Sequence, residues 1–157
     1  MSRAGLCALV VAAACAQGNP AVDAELLDEP AFRCQVEPVL ARRCAFPACH
    51  GDRQRPFRLY APNRLRFGLP ADALAAPLTA EEHAANYQVA AGFASPSAGY
   101  DEPLLVAKPL SERLGGATHG GAEMCGDADV FESASDPELA LLRAWIAGAT
   151  EDPSCAP

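Results

Sequence analysis

A chain of 157 residues, half of them apolar, suits one domain, and much of that apolar content is alanine, so the core per residue is thin. Fourteen prolines and twelve glycines imply long irregular connections, and a small loop-rich domain of this kind calls for a covalent staple or a bound prosthetic group. Twelve basic against twenty acidic residues, a net charge of −8, exclude nucleic acid, whose phosphates need a basic surface, and suit an exported domain that attracts a basic partner.

Met1-Ser2-Arg3 opens an apolar run from Ala4 to Ala14, followed by Cys15-Ala16-Gln17-Gly18. A charged start, a short apolar stretch and small residues at its end describe an export signal, too short to span a bilayer. Ala12-Ala13-Ala14-Cys15 also has the form of a lipoprotein cleavage box, although Ala12 stands where a branched residue is commoner. The expectation is a signal over 1–14, with Cys15 acylated as the mature N-terminus and a membrane reached through that lipid. Cleavage after Ala14 or Ala16 with a soluble product is the alternative. Localisation is then the periplasm or cell envelope, where disulfides persist. Residues 15–30 are polar and acidic and read as a tether, or at most one loose turn.

The domain proper is expected over 31–157. Phe32, Val36, Val39 and Leu40 form a helical stripe running into Cys44, and Pro38 suits the first turn of a helix that begins near Val36. Next comes Cys44-Ala45-Phe46-Pro47-Ala48-Cys49-His50-Gly51. Two thiols and an imidazole directly after the second are what covalent haem attachment needs: the thiols add across vinyl groups, and the histidine ligates the iron. The usual spacing has two residues between the cysteines, and here there are four. A local Cys44–Cys49 disulfide is the competing use of the pair. A zinc site is a third, with Cys44, Cys49, His50 and a fourth ligand such as Cys34.

Phe57-Arg58-Leu59-Tyr60 alternates like a short strand, and prolines and glycines punctuate the chain to residue 78. Thr79-Ala80-Glu81-Glu82 is a capping box opening a helix that runs to about Ala91 and is ended by Gly92. His83 on that helix reads as a surface residue. Residues 103–108 form a short apolar helix stopped by Pro109, and a glycine-rich segment, 115–121, carries His119. Asp136 as N-cap, Pro137 in the first turn and the stripe Leu139, Leu142, Trp145, Ile146, Ala149 make the last helix the clearest element. The helix leading into Cys44 is its natural packing partner. With Cys7 lost in the signal and Cys15 acylated, Cys34, Cys125 and Cys155 remain besides the motif pair, and their pairing stays open. No nucleophile–base or carboxylate pair stands in a catalytic context, so an enzyme is not expected.

Three stretches together resemble the cytochrome c-like domains of exported bacterial proteins, especially those of planctomycetes and myxobacteria. They are Val36-Glu37-Pro38-Val39-Leu40-Ala41-Arg42-Arg43-Cys44 with Cys49-His50-Gly51, then Leu104-Leu105-Val106-Ala107-Lys108-Pro109-Leu110 with His119-Gly120-Gly121, then Leu141-Leu142-Arg143-Ala144-Trp145-Ile146-Ala147-Gly148-Ala149. The resemblance spans about 34–149. It implies a mostly α, cytochrome c-like helical domain with a long loop-rich insertion between the haem motif and the C-terminal helix. It also implies one covalent haem c on Cys44, Cys49 and His50, and one-electron transfer with a redox partner protein. The family's sixth iron ligand is typically a methionine upstream of the last helix. Met124 lies in that interval but is followed by Cys125 rather than proline, and His119 is the alternative. A haemless, disulfide-braced binding or structural lipoprotein module on the same scaffold is the competing expectation.

Overall fold

The computed structural model describes residues 27–66, 70, 73–119, 130–150 and 155. The expected signal, the acylation candidate Cys15, the first part of the tether, Met124 and Cys125 lie outside the described residues. The described regular structure is helical; its β content is one isolated parallel bridge between Leu110 and Phe131. No helix among the described residues is long and apolar enough to cross a membrane.

Helix α1 has three consecutive parts: α-helical Glu29–Ala31, π-helical Phe32–Val36 and α-helical Glu37–Arg43. Asp28 caps it, its side chain accepting from the Ala31 amide at 2.6 Å. The helix therefore starts seven residues before the expected Val36, and Pro38 lies inside it rather than in its first turn. A proline there removes one i→i−4 bond and crowds the carbonyl four residues earlier. The π turn accommodates this: the Glu37 amide bonds back to the Phe32 carbonyl, a five-residue step that widens the helix just ahead of the ring. The expected tether also shortens. Leu27 is buried, its carbonyl accepts from the Tyr87 hydroxyl at 2.7 Å, and the Asp28 carbonyl accepts from Trp145 Nε1 at 2.8 Å.

Helix α2, Ala80–Phe93, has the expected capping box, with Thr79 and Glu82 exchanging side chain-to-amide bonds of 3.3 and 2.9 Å. It passes through Gly92 and ends one residue later, which sets Phe93 against Phe57 with ring centres 5.0 Å apart. Helix α3 is the single turn Leu104–Ala107, with Leu105, Val106 and Ala107 buried. A short 3₁₀ turn follows at Glu112–Leu114. Helix α4, Pro137–Ile146, is capped by Asp136 and buries Leu139, Leu142 and Trp145.

The core is where α4 crosses α1. Trp145 and Phe32 are fully buried with ring centres 5.2 Å apart, and Tyr87 of α2 completes the aromatic group at 5.6 Å from Phe32. A disulfide joins Cys34, in the π turn, to Cys155, with Cα atoms 5.7 Å apart. It answers the pairing question for these two cysteines and closes a loop over nearly the whole domain.

Two expectations change in the region between α1 and α2. Residues 57–60 are not a strand. Their backbone is satisfied individually, the Leu59 amide by the His50 carbonyl at 2.7 Å and the Tyr60 amide by Asn86 Oδ1 at 2.8 Å. His83 is half-buried rather than a surface residue. Its Nδ1 lies 2.6 Å from Glu37 Oε2, and Glu37, itself buried, accepts from Asn86 Nδ2 at 2.7 Å. Arg66 pins the same region to α2 through Glu82 and the carbonyls of Ala76 and Pro77.

Candidate functional site

The chain leaving α1 folds into a tight knot over residues 44–51. The Ala45 amide still bonds to the Leu40 carbonyl, at 3.1 Å, so the helix end carries the first cysteine. The amides of Cys49 and Gly51 both bond to the Phe46 carbonyl, at 2.8 and 2.9 Å, and the His50 amide bonds to the Cys44 carbonyl at 3.0 Å. These bonds bring the histidine back beside the first cysteine despite the four-residue spacing. Gly51 is required for the closure. A Cβ there would lie 2.5 Å from the Ala45 carbonyl oxygen and 2.9 Å from the Phe46 carbonyl group, distances real side chains do not adopt.

Cys44, Cys49 and His50 line one cavity of about 270 Å³. Leu40 of α1, Phe93 of α2, Leu104 and Leu105 of α3 and Leu142 of α4 form apolar walls, with Phe57, Val130 and Phe131 between them. His119 lines the cavity too. A second close approach puts it there: a Cβ on Gly116 would fall 2.0 Å from the Leu110 carbonyl oxygen. The bare glycine lets the chain lie flat on Leu110, with the Gly116 amide bonded to Ser111 and the Ala117 amide to Ala107, both at 2.9 Å. Gly116 thus serves backbone packing against backbone.

The imidazoles of His50 and His119 are nearly parallel, 16° apart, with ring centres 5.7 Å apart. Phe57 packs edge-on against His50 at 4.8 Å. His50 Nδ1 is buried without a hydrogen bond of ordinary geometry. Burial pulls the His50 pKa below the ordinary imidazole value of 6.5, the backbone of Phe57 opposes this weakly, and His119 and Arg55 add to the lowering. Burial does the same to His119, helped by Lys108 and Arg55. Both rings are therefore neutral at pH 7, the form that binds metals. Burial, with the neighbouring Cys49, pushes the Cys44 thiol up to about 12 against a small opposing effect of Arg43, so it stays protonated.

Cys44 and Cys49 remain thiols and are not joined to each other. Cys34 is committed to Cys155, which removes it as a candidate fourth zinc ligand. Among the described residues no group of three or more His, Cys, Asp or Glu side chains converges as a metal-ion cage. The donor set fits a haem better. Two thiols, one adjacent imidazole and a second imidazole all border a cavity with apolar walls.

Sequence reading brought forward Cys44, Cys49, His50 and His119, which the fold gathers around one space. It missed Phe57, Phe93, Arg55, Lys108 and Phe131. Phe93 carried a signal, since it directly follows the glycine expected to stop α2; the others arrive by long-range packing. Comparison with known proteins gives no matching family model, no matching curated protein and no matching solved structure.

Proposed function

We propose that the chain is an exported single-haem c-type cytochrome domain of cytochrome c-like fold, an electron carrier rather than an enzyme. The observation that carries this reading is the convergence of Cys44, Cys49, His50 and His119 on one apolar cavity. Cys44 and Cys49 would hold the haem covalently through their sulfurs. His50 and His119, which line the same cavity, would be the imidazoles available to its iron. The bound group supplies a reversible one-electron change at iron. The walls formed by Leu40, Phe93, Leu105 and Leu142 exclude water, and the acidic chain favours a basic redox partner protein. Lipid attachment at Cys15 would hold the carrier at the membrane of the periplasm or cell envelope.

The experiment is expression of the full chain with a c-type maturation system, followed by denaturation and a pyridine haemochrome spectrum with an intact mass. The expected result is haem that stays with the denatured chain and a mass raised by one haem. A colourless chain of unshifted mass, with Cys44 and Cys49 oxidised to a disulfide, would refute the proposal in favour of a haemless binding module.

A further inference from the structure

Phe46, in the loop between Cys44 and Cys49, is 42% exposed, and Leu65, at 55%, is the most exposed large apolar residue among those described. The Arg64 guanidinium lies over the Phe46 ring at 4.4 Å. Arg58 donates to the Leu65 carbonyl at 3.1 Å and stacks on the Tyr60 ring at 4.5 Å. Phe46, Arg64, Leu65, Arg58 and Tyr60 thus make one continuous face, in which two apolar side chains stand among guanidinium groups. Charge is concentrated on the same run of chain. Residues 53–71 hold five arginines and no Asp or Glu, in a chain of net charge −8. Arg66 is buried against Glu82; of the other four, Arg53 and Arg55 are exposed and Arg58 and Arg64 half-buried. Asp52, just before them, turns its carboxylate to the Gln54 amide at 2.9 Å.

We propose that this face is a membrane-contact surface, whose arginines bind anionic phospholipid headgroups while Leu65 and Phe46 enter the apolar layer beneath. Guanidinium groups on long stems reach phosphates while their methylenes stay at the apolar boundary. A folded protein partner would need a shaped pocket for each protruding side chain. A fluid bilayer takes both without one, and its headgroups supply the anions. The remainder of the chain is more acidic than the whole and is repelled from such a surface, so contact through this face fixes the orientation of the domain. Acylation at Cys15 would hold the domain near a bilayer without orienting it, and contact through this face orients it. The proposal goes beyond the haem reading and stands without it.

The test is sedimentation of the full chain carrying Cys15→Ser, which removes any acyl group, with two kinds of vesicle. One kind mixes phosphatidylcholine with phosphatidylglycerol; the other is phosphatidylcholine alone and reports whatever the apolar run 4–14 contributes. The expected result is binding to the mixed vesicles at low salt, release as salt shortens the reach of the charges, and little binding to the neutral ones. Each arginine at an anionic surface changes binding about fivefold. Arg58→Gln with Arg64→Gln should therefore weaken it about twenty-five-fold, whereas Arg58→Lys with Arg64→Lys should stay near wild type. Arg53→Gln with Arg55→Gln, both exposed, removes the same charge without disturbing packed side chains. Leu65→Ser should weaken binding several-fold and leave its salt dependence unchanged. Mixed-vesicle binding that is absent, or that neither Gln pair weakens, overturns the proposal, and binding indifferent to Leu65→Ser refutes the insertion. Capture on soluble polyglutamate without vesicle binding also overturns it, in favour of an acidic protein as the occupant. None of these outcomes touches the covalent-haem assay, so the two readings fail separately.

Discussion

The Cys34–Cys155 bond offers the most direct test of the fold. Replacing both cysteines with serine opens a loop whose ends are 121 residues apart in sequence. In the chain-entropy description the cross-link removes about 2.1 cal/mol/K plus 1.5R ln n from the unfolded chain. For this separation that is roughly 16 cal/mol/K, or about 5 kcal/mol at 25 °C. Native disulfides in small exported domains contribute about 2–5 kcal/mol when measured, and total stabilities run about 5–15 kcal/mol. The double variant should therefore lose a large share of its stability. Urea unfolding followed by far-ultraviolet circular dichroism, with wild type and variant compared at equal slope, gives the difference directly. Reducing the wild-type disulfide should reproduce the variant's midpoint. A loss under about 1 kcal/mol would refute the reasoning, because the unfolded chain would then not be restrained by a loop of this length.

Gly51→Ala should prevent covalent haem uptake while leaving far-ultraviolet dichroism near wild type, because its Cβ would meet the Ala45 carbonyl at 2.5 Å; normal haem incorporation would contradict the closure described for residues 44–51. His119→Ala should turn a six-coordinate low-spin haem spectrum into a five-coordinate high-spin one, and an unchanged spectrum would move the ligand elsewhere, to Met124 first. The Arg66 guanidinium, ahead of the other influences, holds the Glu82 carboxyl below the ordinary value of 4.5. A depressed folded-state pKa gives stability that is present above the unfolded value and lost as pH falls through the folded one. Unfolding midpoints measured below about pH 4.5 should therefore decline less steeply in Arg66→Met than in wild type. Glu37→Leu removes the acceptor shared by His83 Nδ1 and Asn86 Nδ2 and should cost about 1–3 kcal/mol in urea unfolding; a cost within error of zero would contradict that.

Elements whose signals are local were legible in the sequence. Asp136-Pro137 opens α4 and Thr79 with Glu82 opens α2 because caps are written in adjacent residues. The same locality misplaced the start of α1, since Pro38 looks like a first-turn residue unless the wider turn before it is known. His83 looked like a surface group because Glu37, its partner, is 46 positions away. Alternation at 57–60 suggested a strand, but the groups that satisfy that backbone are the His50 carbonyl and a side chain of α2. For the site, Cys44, Cys49 and His50 stood out by type and by the histidine directly following the second cysteine. The cavity around them did not, because its walls come from α1, α2, α3 and α4, brought together only by packing.

The π turn in α1 sets the phase between the two halves of that helix. Phe32, at the start of the turn, faces Trp145, and residues downstream present Leu40 and then Cys44 to the cavity. One residue corresponds to about 100° of rotation in an ordinary α-helix. Deleting a single position from the Phe32–Val36 segment would convert it to regular α-helix and turn one half against the other by that angle. Either Phe32 would leave Trp145 or Cys44 would leave the cavity, so the extra residue is what lets one continuous helix serve both the aromatic core and the cysteine-bearing loop.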